Sequence, residues 1–237
     1  MSFQSFHQKL NEFHSENEYY SFEDKLIIFP ESEQKISELV SLATKEKVKL
    51  EISGLDFIKE KRENIIISTK KLTGFEIDSK NMTVVAKSGA SVSEIFYTVK
   101  NEGFTLPVPP IHSVTVGGAL ATSLFSCEVL NYPIKHFFTG VRFVQGEGKI
   151  IKYGGKALKT VAGYDVIALL SGSFGIFGVI TEVVIRLLPK MFAHIVENIG
   201  KNFTPPPLKL TKPSKYISEL KLKLDPQGVF TDSIFKF

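Results

Sequence analysis

Two clusters of glycine constrain the fold of this chain more than any other sequence feature. The first, Gly117–Gly118, follows a proline-rich stretch; the second contains Gly172, Gly175 and Gly178, spaced by threes. Because glycine has no Cβ, backbone N–H groups at such positions can approach an anionic ligand, and a helix that starts there adds the positive end of its dipole. A glycine pair alone more often marks a tight turn packed against a strand, so either cluster by itself indicates little about function.

The composition is typical of a globular chain that folds without cross-links. With 237 residues, 43% of them hydrophobic and 23% charged, the chain can bury a sizeable core in one large domain or two small ones. Cys127 is the single cysteine, which excludes an internal disulfide, a cysteine-ligated zinc site and an iron–sulfur cluster held by this chain alone. The formal net charge of +4 comes mainly from scattered lysines, so the sequence predicts no nucleic-acid partner.

No segment of the sequence predicts a membrane span or a secretory signal. Residues 1–13 lack a basic stretch followed by an apolar one. The longest uncharged stretch, Val166–Thr181, has 16 residues and is interrupted by three glycines, which is short for a membrane span. We therefore expect a cytoplasmic protein.

The common catalytic and phosphate-binding signatures are absent from the sequence. It contains no Gly-x-Gly-x-x-Gly after a strand, no Walker loop, no His-Glu-x-x-His, no Cys-x-x-Cys and no Gly-x-Ser-x-Gly elbow. The five histidines are scattered, and His7 with His14, a pair that could share a helix face, is better explained by two solvated side chains than by a metal site. The sequence therefore predicts no metal site, and it identifies no catalytic residue.

Hydrophobic patterning predicts an α+β unit in the first half of the chain. Ser32 and Ser91 are expected to cap two amphipathic helices. The other elements predicted there are a weak helix at 2–18, strands at 26–29, 48–52 and 65–67, and a hairpin at 75–87.

The second half of the chain is richer in glycine and has shorter elements. Residues 191–213 lose periodicity and contain three consecutive prolines, which indicates an extended linker. The elements predicted around it are a turn and helix at 115–124, a hairpin at 141–153, a helix at 164–170, a strand at 179–187 and a last helix at 216–224.

Together and in this order, the two glycine clusters resemble the FAD-binding domain of the vanillyl-alcohol oxidase / p-cresol methylhydroxylase (PCMH-type) superfamily. Within it, the chain is most similar to the FAD-binding subunit of bacterial glycolate oxidase, or glycolate dehydrogenase. The resemblance spans about residues 26–189. The segments that carry it are Thr83–Val85 with Ser88–Ala90, Leu106–Pro110 with Thr115–Gly118, Tyr153–Asp165, and Gly172–Glu182.

This resemblance implies an α+β fold of two lobes, with FAD extended between them and its pyrophosphate met by backbone amides of two loops. The implied FAD-binding domain covers residues 1–190, with lobes at about 20–105 and 106–190, before a proline-rich linker at 191–213 and a tail at 214–237. Carried over by position, the implied FAD-binding residues are Gly54, Pro109, Thr115, Val116, Gly117, Gly118, Ala121, Thr122, Gly172, Ser173, Gly175, Gly178, Val179 and Ile180.

Three departures from the family pattern bear on function. The first-lobe loop, rich in Gly and Ser in the family, carries Leu55 and Asp56 here, and Asp56 would repel a pyrophosphate unless it points away. Lys135–His136 replaces an Arg-Asp pair of the family. The substrate or cap domain that the family inserts near Pro189 is expected to be missing, whereas residues 220–230 resemble the family's extreme C-terminus.

Two functional hypotheses follow from the resemblance. In the first, the chain is the FAD-binding subunit of a glycolate or other 2-hydroxy-acid oxidase (dehydrogenase) complex, accessory and inactive alone, with a second flavin subunit and an iron–sulfur subunit as partners. In the second, the chain is a structural or assembly subunit that has lost FAD binding. Neither hypothesis assigns a catalytic residue; His112 and Tyr164 are candidates only by their proximity to the loops.

Overall fold

The structure is a computed structural model that describes residues 3–10, 19–22, 25–54, 65–123, 126–127, 132–156, 165–201 and 215–231. Its strands are β1 (Tyr19–Phe22), β2 (Lys25–Ile28), β3 (Glu51–Ser53), β4 (Ile65–Ser68), β5 (Phe75–Asp78), β6 (Thr83–Lys87), β7 (Phe104–Thr105), β8 (Ser126–Cys127), β9 (Tyr132–Pro133), β10 (Phe138–Val144), β11 (Ile150–Gly154), β12 (Val179–Arg186) and β13 (Leu188–Pro189). Its α-helices are α1 (Phe3–Leu10), α2 (Glu33–Glu46), α3 (Val92–Asn101), α4 (Val116–Thr122), α5 (Val166–Leu170), α6 (Ala193–Lys201) and α7 (Lys215–Leu224). In this described part, no helix combines the length and the apolar character needed to cross a lipid bilayer.

The first lobe is a four-stranded sheet in the order β1-β2-β4-β3, which shares one apolar core with α1 and α2. β2, β4 and β3 run parallel, and β1 pairs antiparallel with β2. Ser32 caps α2 as predicted, accepting a hydrogen bond from Lys35 N at 3.2 Å. The apolar residues at helical spacing in α2 are buried, so this helix packs on the sheet along one face; they are Ile36, Leu39, Val40 and Ala43.

The second lobe is a five-stranded antiparallel sheet in the order β11-β10-β12-β6-β5. The two predicted hairpins are confirmed as β5–β6 and β10–β11. α3, α4 and α5 contribute buried side chains to the core of this lobe, and Ser91 caps α3 as predicted. Two hydrophobic cores, one for each lobe, therefore support the predicted two-lobed α+β fold.

The predicted boundary between the lobes, at about residue 105, is wrong. β6 pairs with β12 in the second-lobe sheet, and Ile95 and Phe96 of α3 are buried in the second-lobe core. The chain therefore passes from the first lobe to the second between β4 and β5. Local patterning predicts that a strand exists but not which distant strand it pairs with, and this is why the hairpin was assigned to the wrong lobe.

The predicted linker at 191–213 is wrong over its first part, where Ala193–Lys201 forms α6. Ala193 and Val196 are buried in the second-lobe core, and Glu197 accepts a hydrogen bond from Lys100 on α3 at 2.8 Å. Packing against the second lobe therefore orders a segment whose flanking prolines predicted an irregular chain. Residues 202–214 lie outside the described residues.

Glu33, in the first turn of α2, joins the two lobes. Its carboxylate accepts hydrogen bonds from Arg142 on β10 and from the hydroxyl of Thr181 on β12. The next turns of α2 continue this contact, because Ser37 and Thr44 donate to backbone carbonyls in the turn between β10 and β11. The relative position of the lobes is thus fixed along one side of α2.

The environment of Glu33 lowers its pKa. Partial burial acts to raise the pKa, because it disfavours the charged carboxylate. The hydrogen bonds from Arg142 and Thr181, with the positive charges of Arg142 and Lys87, outweigh that effect, so the pKa lies below its ordinary value of 4.5. A carboxylate with a lowered folded-state pKa stabilises the fold above its unfolded-state pKa, and this stabilisation is lost as the pH falls through the folded-state pKa.

We therefore expect the free energy of unfolding to decrease as the pH is lowered from about 5 to about 3, partly because Glu33 becomes protonated. Glu33→Gln should lower stability at pH 7 and flatten this part of the pH profile, as measured by urea unfolding at a series of pH values. Glu38→Gln makes the same change in charge on an exposed position of α2 and should keep the wild-type slope. Equal slopes in the two variants would contradict the assigned role of Glu33.

Candidate cofactor-binding cleft

A narrow cleft of about 160 Å³ lies between the two lobes. The first lobe contributes the end of β3 and the turn that follows β4. The second lobe contributes the segment after β6, helix α4, the turn before β12 and the start of β12. The lining residues are Ile52, Gly54, Thr69, Ser88, Gly117, Gly118, Ala121, Thr122, Phe174, Gly175, Gly178 and Ile180.

The cleft brings together residues from all three sequence segments that the resemblance singled out. One comes from the first-lobe loop, four from the first glycine cluster and its helix, and three from the second cluster. The predicted residues that line the cleft are Gly54, Gly117, Gly118, Ala121, Thr122, Gly175, Gly178 and Ile180.

Helix α4 begins at the first glycine cluster and packs closely on the end of β6. Thr115 is its N-cap, and a Cβ added to Gly117 would lie 2.6 Å from the Cβ of Ser88 and 2.9 Å from its carbonyl oxygen. At Gly118 an added Cβ would meet Thr115 Oγ1 at 3.1 Å. The close packing of α4 on the end of β6 therefore requires glycine at position 117. Gly118 meets only the Thr115 hydroxyl and leaves space on the side of the cleft.

The backbone N–H groups at the start of α4 are all used within the protein. Val116 N donates to Ala90 O, Gly117 N to Ser88 O, and Gly118 N and Ala119 N to the side chain and backbone of Thr115. The prediction that this turn supplies amide donors to an anion is therefore wrong for the described conformation. The glycines contribute space, and the donors to a phosphate must come from elsewhere.

The second glycine cluster forms a turn in which L side chains are strained. Gly175 has φ +85°, Gly178 has φ +149° and Phe174 adopts φ +52°. A Cβ on Gly175 would lie 2.9 Å from Ile52 Cδ1, across the cleft in the first lobe. This turn therefore needs glycine both for its backbone conformation and for its close approach to the other lobe.

The two glycine clusters are hydrogen bonded to each other. Gly172 N donates to Leu120 O at 3.2 Å, and Phe174 N donates to Ala121 O at 2.8 Å. The acceptors are carbonyls in the last turn of α4, which have no partner inside the helix. The similarity of both clusters to one family thus corresponds to a direct structural link between them.

Several predicted residues support the cleft from behind instead of lining it. Val116 is fully buried in the second-lobe core and Val179 in the first-lobe core. Pro109 is buried and lies against Gly200 of α6, 3.3 Å from the position of an added Cβ. Gly172 and Ser173 line a separate cavity of about 390 Å³ on the far side of the turn, next to α5 and α7.

The sequence predictions missed Ile52, Thr69, Ser88 and Phe174 in the lining. Ser88 is the most informative of them, because it is 1% exposed and its hydroxyl has no hydrogen-bond partner among the described residues. A buried hydroxyl without a partner costs free energy, so it marks a position that a ligand can satisfy. In the sequence, Ser88 follows the predicted hairpin directly and belongs to the Ser88–Ala90 segment that carries part of the resemblance.

The described lining of the cleft carries no charged side chain. His112 is exposed, and Tyr164 and the first-lobe loop Leu55–Lys59, including Asp56, lie outside the described residues. Among the residues that the structure places, no group of three or more metal-ligating side chains occurs. The described walls therefore offer shape and hydrogen bonding.

The fold and the cleft together define a two-lobed domain of the kind that holds an extended cofactor. The sequence profile of a family described as FAD binding domain matches residues 25–154, more than half of the chain. The chain belongs to this FAD binding domain family. FAD is accordingly the cofactor of the domain. The Ser88 hydroxyl, without a partner in the described part of the chain, and the glycine-lined walls fit such a ligand.

The curated relatives include proteins named as 2-hydroxy-acid enzymes or as subunits of one. The chain is 28% identical over 176 residues to D-lactate dehydrogenase of Archaeoglobus fulgidus, covering 71% of this chain and 40% of that protein. It is 33% identical over 118 residues to glycolate oxidase subunit GlcD of Bacillus subtilis, covering 48% of this chain and 25% of the relative. It is 32% identical over 122 residues to glycolate oxidase subunit GlcE of Escherichia coli, covering 50% of this chain and 35% of that relative. The chain thus spans two fifths or less of the length of these relatives.

Solved structures confirm the fold. An alkyldihydroxyacetonephosphate synthase matches with a TM-score of 0.66 at 21% identity, over 80% of this chain and 41% of that one. Phl p 4.0202, a glucose dehydrogenase, matches with a TM-score of 0.64 at 18% identity, over 78% of this chain and 44% of that one. At such identities the likeness concerns the fold alone, and it agrees with the predicted two-lobed FAD-binding architecture.

The different surroundings of the two glycines in α4 give a direct test of this geometry. We expect Gly117→Ala to lower the free energy of unfolding by about 2 kcal/mol, because its methyl group overlaps Ser88. Gly118→Ala should stay within about 1 kcal/mol of the wild type, since a helix favours alanine and its methyl group meets only the cap hydroxyl. Urea unfolding followed by circular dichroism measures both, and equal losses would contradict the close packing assigned to Gly117.

Proposed function

We propose that this chain is the FAD-holding subunit of a 2-hydroxy-acid dehydrogenase complex of the glycolate or lactate type. The family membership supports the cofactor, and the names of three relatives support the class of substrate. The observation that carries the proposal is the cleft itself. There two hydrogen-bonded glycine clusters meet the first lobe, beside a Ser88 hydroxyl that has no partner among the described residues.

The proposed role of the described residues is to hold and orient the cofactor. The cleft has space for a flat or extended ligand because three of its lining residues, Gly118, Gly175 and Gly178, have no side chain. Ser88 offers this ligand a hydrogen bond. When bound, FAD supplies a flavin that accepts a hydride equivalent from the α-carbon of a 2-hydroxy acid. Since no acid or base lines the described cleft, these residues transfer no proton themselves.

We further propose that the chain is an accessory subunit and is inactive alone. Only residues 190–214 separate β13 from α7, and α6 occupies part of that interval while packing on the second lobe. Such a short segment is too small for a substrate domain over the flavin. The proposed partners are a second flavin subunit and an iron–sulfur subunit, as the resemblance implies. The names of two relatives as glycolate oxidase subunits support a complex, and this chain, with a single cysteine, could not hold an iron–sulfur cluster alone.

Equilibrium titration of the purified, FAD-free chain with FAD tests the cofactor site. We expect saturable binding by the wild type and about fivefold weaker binding by Ser88→Ala, the loss of roughly one neutral hydrogen bond. The free energy of unfolding without FAD should not fall in this variant, because the hydroxyl has no partner to lose within the described residues.

Ser93→Ala is the matched control for that experiment. Ser93 is also buried, on α3, and its hydroxyl also lacks a partner among the described residues, but it does not line the cleft. It should therefore leave FAD affinity unchanged. Equal FAD affinities of wild type and Ser88→Ala would contradict the role of Ser88. A wild type that binds no FAD would favour the alternative of an assembly subunit that has lost the cofactor.

The accessory role makes a prediction about activity in isolation. Once the chain is loaded with FAD, as verified by its flavin absorbance, we expect negligible oxidation of glycolate or D-lactate with an artificial electron acceptor. Orientation of the substrate needs protein walls around the reacting atoms. The described residues of this chain form the walls of the cofactor cleft but no substrate pocket over the flavin. Robust turnover by the single chain, free of other subunits, would contradict the accessory role.

A further inference from the structure

A buried ion pair at the end of α7 lies directly behind the cleft. Lys221 and Asp225 are 7% and 1% exposed, and Lys221 Nζ lies 2.6 Å from Asp225 Oδ2. Lys221 Nζ also donates to two backbone carbonyls, Ile176 O at 2.7 Å and Phe230 O at 2.8 Å. A buried ion pair gives little stability in itself, since well-packed apolar residues often serve as well. Its hydrogen bonds, however, fix the direction of the groups they reach.

One of these carbonyls belongs to the second-lobe wall of the cleft. Ile176 lies in the turn that contains Phe174, Gly175 and Gly178, all of which line the cleft. The left-handed backbone of this turn is conformationally permissive at its glycines and is not held by a regular helix or strand. The hydrogen bond from Lys221 therefore restrains a wall that its own sequence leaves adaptable.

The other carbonyl is connected to the first-lobe wall. Asp225 accepts hydrogen bonds from Val229 N at 2.8 Å and Phe230 N at 2.9 Å, which shapes the turn before Phe230. Leu50 then pairs with this segment, with Leu50 N donating to Val229 O at 2.7 Å. Leu50 leads into β3, where Ile52 lines the cleft opposite Gly175.

We propose that Lys221 is a positioning residue that sets the separation of the two cleft walls and thereby the affinity for the cofactor. This proposal rests on the proposed function of the cleft. Lys221 does not touch the ligand; it acts through Ile176 on the glycine turn and through Phe230 on the segment that pairs beside β3. Residues 221–231 thus form a clasp over the back of the cleft.

The test uses the full chain with the double substitution Lys221→Met and Asp225→Asn. Removing Lys221 alone would leave Asp225 charged and buried, and that variant could fail to fold. The double variant is neutral at this site and keeps one side-chain oxygen for the turn, so it should retain the fold. Its free energy of unfolding should be lower than that of the wild type, because Ile176 O and Phe230 O lose the donor that Lys221 supplied. FAD affinity should fall about tenfold, because the wall loses a charge-assisted hydrogen bond. The bound flavin should also rotate more freely in time-resolved fluorescence anisotropy.

The matched control removes an ion pair of the first lobe that lies away from the cleft. Lys9 Nζ is 2.6 Å from Glu46 Oε1, and neither residue lines the cleft, so Lys9→Met with Glu46→Gln should leave FAD affinity unchanged. Equal FAD affinity and anisotropy in the wild type and the Lys221 double variant would overturn the positioning role.

A second readout works without FAD. Phe174 N donates to Ala121 O of α4, and Ile176 N donates to Ser173 O within the turn. The hydrogen exchange of these two N–H groups should accelerate about tenfold in the Lys221 double variant, while amides of α3 stay protected. Unchanged exchange would overturn the clasp even if the wild type bound no FAD. Faster exchange with no FAD binding by the wild type would support the clasp and contradict the proposed function instead.

Discussion

Two backbone hydrogen bonds, from Gly172 N to Leu120 O and from Phe174 N to Ala121 O, hold the second-lobe wall of the cleft together. They use carbonyls at the end of α4, so the helix ends after seven residues against a turn that fits it. Backbone hydrogen bonds therefore form most of the support of this wall, and Lys221 adds one side-chain hydrogen bond to Ile176 O. Support that comes mainly from the backbone agrees with a fold retained at 18% to 21% identity in the solved structures.

Local chemistry in the sequence was sufficient to predict most of the elements. Ser32 and Ser91 correctly predict two capped helices, and the pattern of apolar residues correctly predicts both hairpins. The sequence did not predict the contacts between segments that lie far apart in the chain. The hairpin β5–β6 joins the second lobe only because β12 lies beside it, and α6 forms because its apolar face finds the second-lobe core. Neither fact is encoded within the segment itself.

The candidate site was predictable in position and less so in mechanism. Glycines identified the walls correctly, because close approach and positive φ are properties that few other residues tolerate. The donor role given to the first turn of α4 failed, since whether an N–H is free depends on neighbours such as Ser88 O and Ala90 O that lie earlier in the chain. Ser88 itself escaped notice, because an unsatisfied hydroxyl can be recognised only once the surrounding residues are in place.

The pairing of Leu50 with Phe230 has a consequence for how the protein forms during synthesis. The first-lobe core includes Val229 and Phe230, residues that leave the ribosome after almost all of both lobes. In a nascent chain, Leu50 therefore lacks its backbone partners, and part of the first-lobe core stays uncovered, until residues 229–231 have been synthesised. Uncovered apolar surface and unpaired backbone groups invite association with other chains, so the first lobe is exposed to such association until this segment has docked.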